Sequence, residues 1–354
     1  MEITGYEIRE LTVPCEPSIS DSQYEFDTAG VAYLELETDV GETGIGIGGT
    51  PGDLRQELLE QRFEEIGADL VGRSPFHLCN RLRRPRGGEH GSDPFNRAVD
   101  FALWDLCGKY LDMPLYELLG GRDPAVPTYG SGLAFSHDDR ETRAVYEEFA
   151  SLGIDAAKVK VGYPTVAEDL DRLALVRDVL GEECTLLVDA NEAWDPKETI
   201  RRAHAYRDAG FDIDVLEDPV LREDVAGYRR VVDNVPFSHV NTGEYVNREG
   251  KRRLLENHAL DMLNVRNGIF STALEEAALA TAYGVPIHVG DTHCEIGVHL
   301  AAALPEVSYV EYWKRPWDRL TEESVRVEDG HLIAPDRPGH GVTISDDALE
   351  EFGE

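Results

Sequence analysis

The chain has 354 residues, with 69 acidic side chains against 34 basic ones and a formal net charge of −35. That length is ample for a sizeable core, in two or three domains or in one large α/β barrel with an addition. The charge excludes a nucleic-acid partner, since no basic stripe can neutralise phosphates, and no apolar run reaches the roughly 20 residues of a membrane helix.

Only six of the basic residues are lysines (Lys109, Lys158, Lys160, Lys197, Lys251, Lys314). So much acid with so little lysine suits a solvated surface in high salt, and a halophilic, cytoplasmic protein is expected. The five cysteines are scattered and show no metal-type pair spacing, so neither a disulfide framework nor a zinc ribbon is indicated, and a reducing compartment follows. No basic head followed by an apolar core opens the chain.

Residues 1 to about 50 alternate like strands, with Val31, Tyr33 and Glu35 on one face and Ala32, Leu34 and Leu36 on the other, followed by the glycine-punctuated run Thr43 to Gly48. An antiparallel sheet is predicted. Leu54, Leu58, Leu59, Phe63, Ile66 and Leu70 have helical spacing; Asp93-Pro94 is a cap and first-turn pair for a helix over Phe95–Leu111, and a short helix should follow before Gly120-Gly121. From about Val126, short apolar runs alternate with amphipathic stretches (Val166–Leu180, Glu198–Ala209, Thr272–Tyr283), which is repeated βα.

Within one apolar run, Lys158 and Lys160 stand two apart, so on a strand both ammonium groups leave the same face. Acids close the next three strand-like runs, at Asp189, Glu217 and Glu244, in steps of 29, 28 and 27 residues from Lys160. Steps near 30 residues match the units of a closed barrel, whose chemistry sits at the C-terminal strand ends. Three carboxylates there make a hard oxygen site suited to Mg²⁺. An amine beside a divalent ion is what removing a proton next to a carboxylate requires, because the ene-diolate that forms carries a second negative charge. A barrel whose mouth only binds would have no reason to concentrate scarce lysines at these positions.

The run Asn96-Arg97-Ala98-Val99-Asp100-Phe101-Ala102-Leu103-Trp104-Asp105-Leu106-Cys107-Gly108-Lys109, then Pro114 and Leu118-Leu119-Gly120-Gly121, together with the Lys-x-Lys strand and the three acid steps, resembles the enolase superfamily in its mandelate racemase and muconate lactonizing enzyme branch. The resemblance implies an α/β fold: a (β/α)7β TIM-like barrel (126–325) under an α+β capping domain built from residues 1–125 and a returning C-terminal segment (326–354). It implies Mg²⁺ held by Asp189, Glu217 and Glu244, Lys160 as the proton-abstracting base, and Lys158 as the charge beside it that contacts the substrate carboxylate. Asn191 and Glu311 resemble substrate-orienting residues of the family, and Ser18, Ser20, Tyr24 and Phe26 fall in the capping loop that would line the pocket.

Departures from the family pattern bear on the reaction. The sixth barrel strand ends Leu263-Asn264-Val265-Arg266, where other members carry Asp or Lys; an arginine is a poor base and a good carboxylate clamp. On the seventh, His288 lies in an apolar run as a core histidine would, whereas His293 near the mouth could protonate a leaving hydroxyl with Asp291 fixing another polar group. The expected reaction is abstraction of the α-proton of a small carboxylate followed by syn β-elimination, as in sugar-acid dehydration. A muconate-type cycloisomerase and an epimerase are the alternatives. The partner is a small-molecule substrate, and related barrels lead one to expect a homo-oligomer.

Overall fold

The computed structural model describes residues 1–21, 25–52, 67, 69–82, 94–132, 135–266, 270–290, 294–323 and 325–353. Three antiparallel strands open the chain: β1 (Ile3–Ser20), β2 (Glu25–Thr38) and β3 (Thr43–Pro51), with β2 in the middle. The alternation read in β2 is real, yet both of its faces are covered. Ala32, Leu34 and Leu36 pack on one hydrophobic core with the cap helices, while Val31 and Tyr33 join the larger core that runs into the barrel.

Helices α1 (Pro75–Leu82), α2 (Pro94–Leu111) and α3 (Leu115–Leu118) complete the cap. The glycines of β3 explain how closely α2 lies on the sheet. Gly44, Gly46 and Gly48 share one strand face, and a Cβ on each would fall 2.5, 1.8 and 1.7 Å from the carbonyl oxygens of Ala102, Ala98 and Pro94, one helical turn apart. The helix expected over 54–70 falls almost wholly outside the described residues.

The barrel follows as β4 (Ala125–Gly132), α4 (Asp139–Ser151), β5 (Ala156–Lys160), α5 (Val166–Leu180), β6 (Thr185–Asp189), α6 (Pro196–Asp208), β7 (Ile213–Glu217), α7 (Val225–Asn234), β8 (His239–Thr242), α8 (Arg248–Glu256), β9 (Met262–Asn264), α9 (Phe270–Tyr283), β10 (Ile287–Val289), α10 (Cys294–Ala303) and β11 (Val307–Tyr312). Each strand pairs in parallel with the next, and β11 returns to pair in parallel with β4, closing eight strands into the (β/α)7β barrel under its antiparallel cap. Capping boxes start α4 (Asp138 with Glu141) and α5 (Thr165 with Glu168). In the tail, the hairpin β12 (Arg326–Glu328) and β13 (His331–Ile333) adds to the start of β4, and α11 (Asp346–Phe352) packs against β1.

The polar residues of the α2 signature stitch these parts together. Asp100 accepts the Ser271 amide (3.1 Å) and hydroxyl (2.7 Å) from α9, and the Trp104 indole donates to the same hydroxyl (2.9 Å). Asp105 accepts the amides of Ile45 (2.9 Å) and His340 (3.1 Å) and pairs with Lys109 (2.7 Å). The described cysteines Cys15, Cys79, Cys107 and Cys184 are free and buried, and no helix among the described residues is long and apolar enough to cross a membrane.

Candidate active site

Register alone sends both lysines inward. Lys160 is the last residue of β5 and pairs with Asp189, the last of β6, which in turn pairs with Glu217, the last of β7. At the mouth, Lys160 Nζ lies 2.7 Å from Asp189 Oδ2 and 2.7 Å from Asn191 Oδ1. One layer deeper, Lys158 Nζ reaches Glu311 (2.8 Å), Glu217 (3.2 Å) and Asp189 (3.6 Å), and lies 5.6 Å from the centre of the Tyr129 ring. All of these side chains are buried.

Glu244 stands differently. β8 ends at Thr242, and the chain turns through Gly243 (φ 136°), leaving Glu244 half-buried two residues beyond the strand. The residue sequence reasoning missed is Asp218. It follows Glu217 directly, so strand alternation would send it to the opposite face, but its backbone is left-handed (φ 40°). Its carboxylate joins those of Glu217 and Glu244, with one oxygen of each within 4.8 Å of the others. Thr242 donates to it at 2.7 Å, and Arg222 Nε at 2.7 Å. Arg222 also pairs with Glu192 (2.7 Å) and comes within 3.7 Å of Glu244.

Among the described residues, the carboxylates of Asp189, Glu192, Glu217, Asp218, Glu244 and Glu311 are therefore joined by ion pairs to Lys158, Lys160 and Arg222, with more acids than bases in the network. Burial, against the pull of Lys158, pushes Glu217 well above the usual carboxylate range, and burial likewise raises Asp218. Burial works against the Asp189 carboxylate too, but Lys160 and Lys158 outweigh it and hold this group low. For Lys158 burial disfavours the ammonium, and the charges of Glu217 and Glu311 more than offset it, so the amine is held well above its ordinary value. A cluster of oxygen donors with excess negative charge fits a hard divalent cation, and Glu217, Asp218 and Glu244, with Asp189 beside them, are the groups that could hold one.

His288 lies beneath this layer as a satisfied core histidine. It is fully buried, its Nε2 bonds the Tyr129 hydroxyl, its Nδ1 is 3.4 Å from the Asn241 amide and 3.9 Å from Glu217, and burial with Lys158 nearby pushes its pKa down to about 3. Asn264 donates to Glu217 at 3.1 Å. Arg266 sits at the rim with its guanidinium 4.4 Å from the centre of the Tyr245 ring, which Arg222 also approaches at 4.8 Å. Tyr24, Asp291 and His293 lie outside the described residues.

Comparison with known proteins agrees with this architecture from end to end. The family profile described as mandelate racemase / muconate lactonizing enzyme, N-terminal domain, matches residues 7–120, and the one described as enolase C-terminal domain-like matches 141–348. A 3,6-anhydro-alpha-L-galactonate cycloisomerase of Streptomyces coelicolor is 34% identical over 89% of this chain and 89% of its own. A D-galactarolactone cycloisomerase of Agrobacterium fabrum is 30% identical over 99% of each. The crystal structure of an L-talarate dehydratase from Polaromonas sp. JS666, complexed with Mg and L-glucarate, superposes with a TM-score of 0.88 at 26% identity, covering 100% of this chain and 97% of that one.

Proposed function

The chain is an enzyme belonging to the mandelate racemase and muconate lactonizing enzyme family of the enolase superfamily, and from that membership we propose that it catalyses β-elimination from a small sugar-derived carboxylate after removing its α-proton. The observation that carries the proposal is the Lys160 amine, held at 2.7 Å from both Asp189 and Asn191 in the same mouth as the acidic cluster.

Asp189, Glu217 and Glu244 would hold Mg²⁺, the ion named in the related dehydratase structure, with Asp218 adjoining. When bound, the ion supplies a divalent charge that stabilises the negative charge developing on the substrate carboxylate. Lys158, kept charged by Glu217 and Glu311, presents a second positive charge to that carboxylate. Lys160 takes the α-proton, the electron pair forms the Cα–Cβ double bond as the β C–O bond breaks, and the new ammonium returns its proton to the departing oxygen on the same face. Asn191 orients Lys160, Glu311 bears on the carboxylate through Lys158, and Arg266 at the rim holds the substrate's far end.

The leaving oxygen is a hydroxyl in a dehydration, and a ring oxygen in an anhydro acid or lactone that carries its ring oxygen on the β-carbon. One mechanism covers both, which reconciles the cycloisomerase and dehydratase relatives. A panel of aldonates, aldarates and their anhydro and lactone forms, incubated with Mg²⁺ in D2O, should yield a 2-keto-3-deoxy acid from at least one member. Lys160→Ala should lower that turnover by about 10³-fold. Deuterated, inverted substrate without elimination would make the enzyme an epimerase; Lys160→Ala turnover within a few-fold of the parent would remove the base.

A further inference from the structure

The cap and the base meet through a short chain of contacts. At the end of β1, Ser20 is buried, accepts the Ser136 amide on its hydroxyl (2.9 Å), shares a hydroxyl–hydroxyl bond with Ser136 (2.7 Å) and takes the Phe135 amide on its carbonyl (3.1 Å). Phe135 and Ser136 belong to the barrel loop after β4. The Phe135 ring stacks on Tyr163, centres 4.1 Å apart and planes 12° apart, and the Tyr163 hydroxyl donates to the Phe135 carbonyl at 2.8 Å. Tyr163 stands three residues after Lys160.

That loop is itself anchored. The amides of Gly162 and Tyr163 donate to one oxygen of Asp169 (3.0 and 3.1 Å), a fully buried carboxylate that Arg202 and the Tyr206 hydroxyl also bind. Arg172 ties the Tyr163 hydroxyl (3.0 Å) to the His137 carbonyl (2.8 Å). The Asp169 side is charge-assisted and stiff. The Ser20 side is three neutral hydrogen bonds, each weaker than a charge-assisted one.

We propose that Tyr163 is a positioning residue for Lys160, coupling the docking of the cap strand end at Ser20 to the alignment of the base. This rests on Lys160 being the base. The loop after Lys160 then takes its productive geometry when Phe135 and Ser136 are seated on Ser20. A small misalignment of a catalytic group is costly to rate and nearly silent in binding.

Hydrogen exchange on the full-length, Mg²⁺-loaded protein reads the coupling without any substrate. Ser136→Ala should speed exchange at the Gly162 and Tyr163 amides, and Tyr163→Ala at the Phe135 and Ser136 amides, each by about fivefold, since coupling is reciprocal. Changes confined to each variant's own loop would overturn the proposal. On the panel member turned over fastest, Ser136→Ala and Tyr163→Ala should lower kcat about tenfold with KM within about threefold, and Tyr163→Phe, which keeps the ring stack, should recover part of the loss. Coupled exchange with unaltered kcat would also overturn it. A Lys160→Ala enzyme that stays active while exchange remains coupled would refute the base assignment alone.

Discussion

Asp218 shows where a strand's alternation stops being informative. Lys158, Lys160, Asp189 and Glu217 could be placed together from a two-residue period and the spacing of successive units, because they lie inside regular strands. One residue further, Asp218 turns through a left-handed backbone back toward the mouth, and Asn191 (φ 43°) and Glu192 (φ 64°) do the same after β6. No propensity scale announces three such turns. If the cluster holds the metal as proposed, Glu217→Gln should weaken Mg²⁺ by about 100-fold or more in calorimetric titration, and Asp218→Asn by about tenfold. Unchanged binding in Glu217→Gln would strike it from the ligands. His288 was legible for the opposite reason: a histidine among Ile287, Val289 and their neighbours has only core partners to find, here Tyr129 and Asn241.

Among the elements, α10 and the tail depend on neutral imidazoles. His299 accepts the Tyr116 amide on Nδ1 (3.2 Å) and donates from Nε2 to the His340 carbonyl (3.0 Å); His340 donates onward to the Ile45 carbonyl (2.7 Å). Burial pushes His299 from 6.5 down to about 3 and lowers His340 as well. Between those two values the unfolded chain binds the proton that the folded one refuses. The stability from keeping His299 neutral is therefore complete above its unfolded value and is lost as the pH falls, at about 1.4 kcal/mol per pH unit. Urea unfolding between about pH 7 and pH 4 should show His299→Asn weaker at neutral pH but with a shallower loss toward acid. An unaltered slope would mean that His299 is not kept neutral in the fold. The α2 motif was visible in sequence as a helix, whereas its bonds from Asp100 to Ser271 and from Asp105 to His340 join positions 171 and 235 residues apart, which no window of sequence contains.

Taken whole, the molecule carries a charge of −35 that its fold must tolerate. Mutual repulsion of surface acids is screened over about 3 Å at 1 M salt and reaches about 10 Å at 0.1 M. Lowering KCl from about 1 M to about 0.1 M should thus depress the melting temperature markedly, with Mg²⁺ held constant so that site occupancy does not contribute. Equal melting at both concentrations would sink the halophilic expectation.

The antiparallel front sheet, the repeated βα units, the paired lysines and the order of the acids that follow successive strands were written in local patterns, because alternation and βα spacing depend on neighbouring residues alone, whereas the cap over the barrel came from the family resemblance. Barrel closure settled the rest. It brought Asp218 beside Glu244 and set His288 under Glu217, since such contacts exist only once strands distant along the chain share one mouth, and the docking of the cap sheet on the barrel laid Ser20 against Ser136.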